Sequence, residues 1–267
     1  MDKLGPSLDL AATFRIEKLI QWLKEKYTIT KVYTNGGVMM SRTVFDRELQ
    51  QLVDRMLALG SQVGSNIIDA VDGLQQRDMV GAQKLVAADE DINSRRIAIM
   101  GDALTLIATQ QPMAGDMRLI AGIIEITGEL ERINDYVKGI ARNSLLLGPG
   151  PLPDALAEIP RMAQITSEML ERALDAAGRR DVELARSIPK RDDEVDALFN
   201  QIYRNLLTYA MENPSSIEQI NNLEWVAHNL ERAADRVTNI CEWVVYAVVG
   251  EYVEMDSEVE APPSLDW

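Results

Sequence analysis

The chain has 267 residues, a net charge of −15, 46% apolar residues and 5% aromatic residues, a composition that favours packed helices over sheets. The acidic balance argues against a nucleic-acid partner, and no apolar run reaches the roughly 20 residues that a membrane helix needs. A single cysteine, Cys241, and the lack of a signal-peptide pattern lead us to expect a cytoplasmic protein without direct membrane insertion.

The first half of the chain is predicted to contain three helices. Apolar residues recur three and four apart from Phe45 to Leu74, which is the pattern of an amphipathic helix. Pro112 predicts the end of a second helix, and a cluster of glycine and proline at 148–151 predicts the end of a third. The three predicted helices cover about 43–74, 79–110 and 114–147.

The second half repeats this plan. Pro214 breaks the pattern where Pro112 broke it in the first half, and Pro189 is expected to delay or kink the middle helix. Six helices joined by short turns predict an all-α fold of two tandem three-helix bundles, related by internal duplication. The predicted helices cover about 154–177, 182–211 and 216–249; the predicted bundles cover 41–148 and 152–250, and an acidic tail covers 251–267.

A repeated motif supports the duplication. Leu130-Glu131-Arg132-Ile133-Asn134-Asp135 and Leu230-Glu231-Arg232-Ala233-Ala234-Asp235 lie 100 residues apart. A repeat of that length indicates a duplicated domain half rather than a short solenoid unit. Glutamate and aspartate four residues apart project from one face of a helix. Each half is therefore predicted to present a pair of carboxylates.

The middle helix of each half carries a second polar pair. Asp89 precedes Glu131 by 131 − 89 = 42 residues, and Asp192 precedes Glu231 by 231 − 192 = 39 residues. Antiparallel packing is therefore expected to bring each pair near the level of its motif. Clustered oxygen ligands suit a hard cation, so iron, manganese, magnesium or zinc are candidates. The candidate ligands are Glu131, Asp135, Asp89 and Asn93 in the first bundle, and Glu231, Asp235, Asp192 and Asp196 in the second.

Two alternatives remain open from these residues. The acidic pairs are compatible with a solvated helix face, which would make the protein a helical scaffold without metal. They are also compatible with a carboxylate-bridged metalloenzyme. The single histidine, His228, and the lack of a nucleophile with a paired base argue against an enzyme. Arg118 either neutralises an acidic site, binds an anion or pairs with Asp116.

Residues from about 43 to 250 resemble the PhoU family of phosphate-uptake regulators. The likeness is carried by the two acidic motifs at 130–135 and 230–235, by Gln111-Pro112, by Asp116-Met117-Arg118, and by Tyr209-Ala210-Met211-Glu212-Asn213-Pro214. Two residues depart from the pattern. Asn93 stands where the second half has Asp196, so weaker metal binding is expected in the first bundle. Asn134 stands where the family usually has glycine.

The resemblance implies a doubled three-helix bundle with metal sites at the acidic motifs. It also implies a negative regulator of phosphate uptake and phosphate-starvation signalling rather than an enzyme. The expected partners are the ATP-binding subunit of the phosphate ABC transporter and a phosphate sensor histidine kinase. We further expect a homodimer.

Residues 1–40 resemble a different protein. Ser7-Leu8-Asp9 and the segment from Ile16 to Ile29 resemble part of the ATP-binding subunit of the phosphate transporter. Both nucleotide-binding motifs of that family are missing from this segment, as is the histidine of its switch strand. The segment is therefore expected to be a non-functional remnant that neither binds nor hydrolyses ATP.

Overall fold

A computed structural model of the chain describes residues 42–150, 152–153 and 156–255. The predicted remnant at 1–40 and the part of the predicted tail beyond residue 255 lie outside these residues. Within the described ranges the chain is helical and contains no strand, which confirms the predicted fold class. No helix in these ranges combines the length and apolarity needed to cross a membrane.

Seven α-helices follow one another along the described chain. They are α1 (Arg42–Gln76), α2 (Met79–Gln110), α3 (Ala114–Leu147), α4 (Ile159–Arg179), α5 (Val182–Ser187), α6 (Asp192–Glu212) and α7 (Ile217–Val249). Short 3₁₀ turns at Pro189–Arg191 and Pro214–Ser216 precede α6 and α7. The first bundle is formed by α1, α2 and α3, and the second by α4, α5 with α6, and α7.

Local sequence explains where the helices begin and end. The carboxylate of Asp78 accepts hydrogen bonds from the backbone amides of Val80 and Gly81 at 3.1 and 2.9 Å, which satisfies two donors at the start of α2. Gln111 closes α2 in the left-handed region with φ 48°, directly before Pro112. These features set the short α1–α2 and α2–α3 connections that hold three helices side by side.

Pro189 divides the predicted middle helix of the second half. The helix expected over 182–211 appears as α5, a 3₁₀ turn and α6, because a proline nitrogen cannot donate to the helical ladder. As a result Asp192 becomes the first residue of α6. Helix α4 also begins later than predicted, at Ile159, with Pro160 in its first turn.

The two bundles share one continuous apolar core. The motif helices α3 and α7 pack against each other over much of their length, and α1 packs on α4. Gly122 permits this approach, since a Cβ atom there would lie 2.9 Å from the Cβ of Ala247. The half-buried Arg236 of α7 lies 3.5 Å from the buried carboxylate of Glu129 on α3, which adds an ion pair between the motif helices.

The chain after α7 folds back along that helix. Gly250 ends α7 with φ 90°. The hydroxyl of Tyr252 then donates to the buried carboxylate of Glu242 at 2.6 Å, and the backbone amide of Met255 donates to the same carboxylate at 2.7 Å. Residues 251–255 are therefore held against the bundle.

Candidate functional site

Each bundle places its acidic motif beside the middle helix. We name Asp89, Asn93, Glu131 and Asp135 the first acidic cluster, and Asp192, Asp196, Glu231 and Asp235 the second acidic cluster. In the first cluster, α2 contributes Asp89 and Asn93 and α3 contributes the motif. In the second, α6 contributes Asp192 and Asp196 and α7 contributes the motif.

Asp89 is the buried centre of the first acidic cluster, with 5% of its surface exposed. Its Oδ1 accepts a hydrogen bond from Nδ2 of Asn134 at 3.0 Å. Its Oδ2 accepts from Nδ2 of Asn93 at 3.3 Å and from Nζ of Lys138 in a close ion pair. Both oxygens of this carboxylate are therefore engaged by the protein itself.

Two basic side chains lie near the other carboxylates of the first acidic cluster. Nζ of Lys138 lies 3.6 Å from Oδ1 of Asp135, and Nε of Arg96 lies 3.9 Å from Oε2 of Glu131. The hydrogen bond to Asp89 raises the pKa of Lys138, so its ammonium stays charged. Burial and the neighbouring Asp135 raise the pKa of Glu131. Three carboxylates thus face two fixed cations.

Two carboxylates of the second acidic cluster, Asp192 and Glu231, lack this compensation. Oδ1 of Asp192 and Oε2 of Glu231 are buried and have no hydrogen-bond partner in the described part of the chain. Burial, followed by repulsion from Asp235 and Asp196, raises the pKa of Asp192 and of Glu231 to about 7. Burial and the nearby Asp193 also raise the pKa of Asp196.

One weak base adjoins the second acidic cluster. Nδ1 of His228 lies 3.6 Å from Oε2 of Glu231, and its ring contacts Phe199 and Trp225. Among the described residues, Asp192, Asp196 and Glu231 form no ion pair with lysine or arginine. The positive charge of Arg232 opposes the rise in the pKa of Glu231, but burial and the neighbouring carboxylates outweigh it.

The donors of the second acidic cluster suit a hard cation better than those of the first. Two of its buried oxygens accept no hydrogen bond, and its four carboxyl groups repel one another. A cation with oxygen ligands would contact these oxygens and reduce the repulsion. In the described ranges, no three His, Cys, Asp or Glu side chains already converge on one point. A bound ion would therefore require carboxylate side chains to rotate toward it.

The residues at corresponding positions of the two halves explain why the two acidic clusters differ in their basic partners. The motif helices are related by an offset of 100 residues, at which Lys138 corresponds to Thr238 and Asn134 to Ala234. The middle helices are related by an offset of 192 − 89 = 103 residues, at which Arg96 corresponds to Phe199. Lys138 and Arg96 were missed by motif reasoning, which considered only acidic positions. Aligning the two halves at these offsets would have found both.

Arg118 lies away from the acidic clusters. It is near the start of α3, where its guanidinium packs against Gly250 at the end of α7. It is separated from Glu131 by 131 − 118 = 13 helical residues, or about 20 Å along the axis at a rise of about 1.5 Å per residue. Neutralisation of the first acidic cluster therefore falls to Lys138 and Arg96 instead.

Known proteins are similar to the two bundles in both sequence and architecture. The PhoU domain family matches residues 56–144 and 159–244, one segment in each bundle. The chain belongs to the PhoU family. A PhoU homolog of Rhizobium meliloti (strain 1021), described as a phosphate-specific transport system accessory protein, is 35% identical over 209 residues, which cover 78% of this chain and 88% of that protein.

Further PhoU relatives agree with this assignment. The accessory protein PhoU of Escherichia coli (strain K12) is 31% identical over 78% of this chain and 86% of its own length. The crystal structure of PhoU from Pseudomonas aeruginosa superposes with a TM-score of 0.74 at 35% identity, covering 78% of this chain and 100% of that one. PhoU from Streptococcus pneumoniae gives a TM-score of 0.73 at 29% identity, with coverage of 78% and 99%.

Proposed function

We propose that this protein is a negative regulator of phosphate uptake and of phosphate-starvation signalling. The observation that carries the proposal is the match of the PhoU family to both bundles. Relatives with 31% and 35% identity are described as accessory proteins of the phosphate-specific transport system. Membership of a family of transport accessory proteins favours a role exerted through binding to other proteins.

The proposed mode of action is that of an adaptor and not of an enzyme. The single cysteine, Cys241, is buried, and burial raises its pKa to about 12, so it is a poor nucleophile. In the described part of the chain, Asp89 is hydrogen-bonded to asparagine and paired with lysine, and buried oxygens of Asp192 and Glu231 accept no hydrogen bond from a serine or cysteine. These features support regulation by binding.

The proposed partners are the ATP-binding subunit of the phosphate ABC transporter and a phosphate sensor histidine kinase, met in the cytoplasm by a homodimer of this chain. The net charge of −15 favours association with basic patches on such partners. Helix α6 also exposes Tyr203, Leu207 and Met211 at successive turns, which provides apolar area for protein contact.

We further propose that the second acidic cluster binds iron, manganese, magnesium or zinc. The orphaned oxygens of Asp192 and Glu231 support this proposal, because a cation would satisfy both. Asp192 and Asp196 on α6 and Glu231 and Asp235 on α7 would hold the ion. The ion would offset two or three of the four negative charges that the ionised cluster carries, and it would join the two helices.

Deletion of the gene tests the regulatory role. We expect the deletion strain to express phosphate-starvation genes, or to take up phosphate, when phosphate is abundant. The wild-type chain should restore control, and so should a matched control carrying Asp91→Asn, since Asp91 is an exposed residue whose carboxylate lies 3.7 Å from Arg95 on the same helix. A deletion strain that responds normally to phosphate would contradict the proposal.

Pull-downs test the partners separately. Tagged protein should retain the transporter's ATP-binding subunit and the kinase from cells grown in high phosphate. Circular dichroism should first confirm that the tagged protein is folded. If the folded protein then retains neither partner, the proposed adaptor role is contradicted.

A further inference from the structure

The ammonium of Lys138 links the two helices that contribute the first acidic cluster. It contacts the carboxylate of Asp89 on α2 and that of Asp135 on its own helix α3. A single positive charge thus links the middle helix to the motif helix. This is the arrangement that an ion held by the second acidic cluster would create between α6 and α7.

The surroundings of Lys138 hold this arrangement in place. Nδ2 of Asn134 donates to Asp89, and Oδ1 of Asn134 accepts a hydrogen bond from Nδ2 of Asn66 on α1 at 2.9 Å. Nε2 of Gln62 donates to Asn66 at 2.9 Å. The chain of hydrogen bonds therefore runs from α1 through α3 to α2, and it fixes the carboxylate that Lys138 neutralises.

A metal ion could bind Asp89 only by displacing protein groups. Both oxygens of Asp89 already accept hydrogen bonds, from Lys138, Asn134 and Asn93. The incoming ion would also meet the positive charges of Lys138 and Arg96. The donors of the first acidic cluster therefore do not fit an exogenous cation while Lys138 is present.

The second bundle has a different residue at the corresponding position. Thr238 replaces the lysine, and its buried Oγ1 has no hydrogen-bond partner among the described residues. Phe199 replaces Arg96. The two basic side chains of the first bundle thus have no counterpart in the second, where the carboxylates keep their mutual repulsion.

We propose that Lys138 is a built-in cation that occupies the first acidic cluster in place of a metal ion. The first bundle then carries its own counter-charge, and metal binding by this chain is confined to the second bundle. The statement about the second bundle rests on the proposed function, whereas the statement about Lys138 does not.

The decisive experiment uses the full chain with the second acidic cluster disabled by Glu231→Gln and Asp235→Asn. Binding of Mn²⁺ and of Zn²⁺ is measured by equilibrium dialysis with elemental analysis. With Lys138 intact we expect no specific binding. Adding Lys138→Thr, which copies Thr238, should create a site that binds at least about tenfold more tightly than any residual binding. Adding Asp89→Asn to that variant should abolish the new site.

A charge-preserving control and a reciprocal variant complete the test. Lys138→Arg in the same background should gain no metal, because the fixed positive charge remains. Thr238→Lys in the wild-type chain should remove metal from the second acidic cluster and raise the thermal stability of the metal-free protein. This reciprocal variant keeps the proposal testable if Lys138→Thr fails to fold.

The outcomes separate this inference from the proposed function. Binding to the first acidic cluster with Lys138 intact, or failure of both Lys138→Thr and Thr238→Lys to change metal binding, would overturn the inference. If the wild-type chain binds no metal but the Lys138→Thr variant does, the inference stands and the proposed metal site of the second bundle fails.

Discussion

The two halves of the chain carry one acidic motif at a constant offset, but they balance its charge differently. In the first half, Lys138 and Arg96 contact the carboxylates of Asp89, Asp135 and Glu131. In the second half, Thr238 and Phe199 stand at those positions, and buried oxygens of Asp192 and Glu231 accept no hydrogen bond in the described chain. A duplicated motif therefore indicates duplicated helices, whereas the chemistry of each site depends on the neighbours.

The difference has an energetic consequence. A buried carboxylate is tolerated when it is paired and hydrogen-bonded, and it otherwise gains a proton or a cation. Asp89 is paired and hydrogen-bonded, whereas the pKa of Asp192 is raised so that it takes up a proton more readily. Changes at corresponding positions of the two halves should therefore have unequal effects.

The largest effect is expected from removing the lysine of the first cluster. Lys138→Met should lower the free energy of unfolding by about 3 kcal/mol, because it leaves the carboxylate of Asp89 buried without its cation. The matched change in the other half, Thr238→Val, should be nearly neutral, since the hydroxyl it removes has no partner. Urea unfolding measures both.

A double variant identifies the cause of that loss. Asp89→Asn combined with Lys138→Met should recover most of the stability, because both charges are then removed together. If the double variant is as unstable as Lys138→Met alone, the ion pair is not the reason.

Addition of metal should stabilise the second half alone. At a concentration about 100 times its dissociation constant, Mn²⁺ should raise the free energy of unfolding by about 2.7 kcal/mol. The gain should disappear in Glu231→Gln/Asp235→Asn and persist in Asp135→Asn, which alters the first cluster. Thermal unfolding with and without a chelator measures the shift, and an equal loss in both variants would contradict the comparison.

The pH dependence of the metal-free protein should come mainly from the second cluster. The pKa of Asp192 and of Glu231 is raised to about 7 from ordinary values of 3.8 and 4.5. Between about pH 4 and pH 7 the folded state therefore binds more protons than the unfolded chain, and stability falls as the pH rises. Above pH 7, Asp192→Asn/Glu231→Gln should be more stable than the wild type by about 2 kcal/mol, after allowance for partial exposure.

Denaturant titrations at successive pH values check this slope. The double variant should lose most of it, and the control Asp91→Asn should keep it, because Asp91 is on the surface of α2. A wild-type slope in the double variant would show that other groups control the pH dependence.

The smallest effect is expected at the hydrogen bonds that attach residues 251–255 to α7. Tyr252→Phe removes the hydrogen bond to Glu242 and should cost about 1 kcal/mol. Arg142, which corresponds to Glu242 at the offset of 100 residues, is exposed, so Arg142→Gln should leave stability unchanged. An equal response of both variants in thermal unfolding would show that residues 251–255 add nothing to α7.

Sequence patterns were sufficient for the helices but not for every boundary. Periodic apolar residues and Pro112 located α2 and α3 at the residues observed, since local turn chemistry decides where such helices end. The effect of Pro189 was foreseen as a delay or kink, and the observed division into α5 and α6 is stronger. The start of α4 at Ile159 was missed because apolar periodicity alone did not distinguish the preceding turn from a helix.

The candidate sites were only partly accessible from the motif. Spacing along a helix placed Glu131 beside Asp135 and Glu231 beside Asp235, because residues four apart share a face. It could not show that Lys138 turns toward Asp89, since that contact joins residues 49 apart on two helices. The likeness to the PhoU family implied metal in both bundles, whereas the contacts of Lys138 lead us to propose it for the second alone.

The sequence by itself determined the all-α class, the duplication and the membership of the PhoU family, because apolar period, turn residues and a repeated motif are properties of the chain order. Only the tertiary structure decided which carboxylates are compensated. Burial and the approach of Lys138, Asn134 and Arg96 from different positions arise when the helices pack, and these contacts set the charge of each cluster.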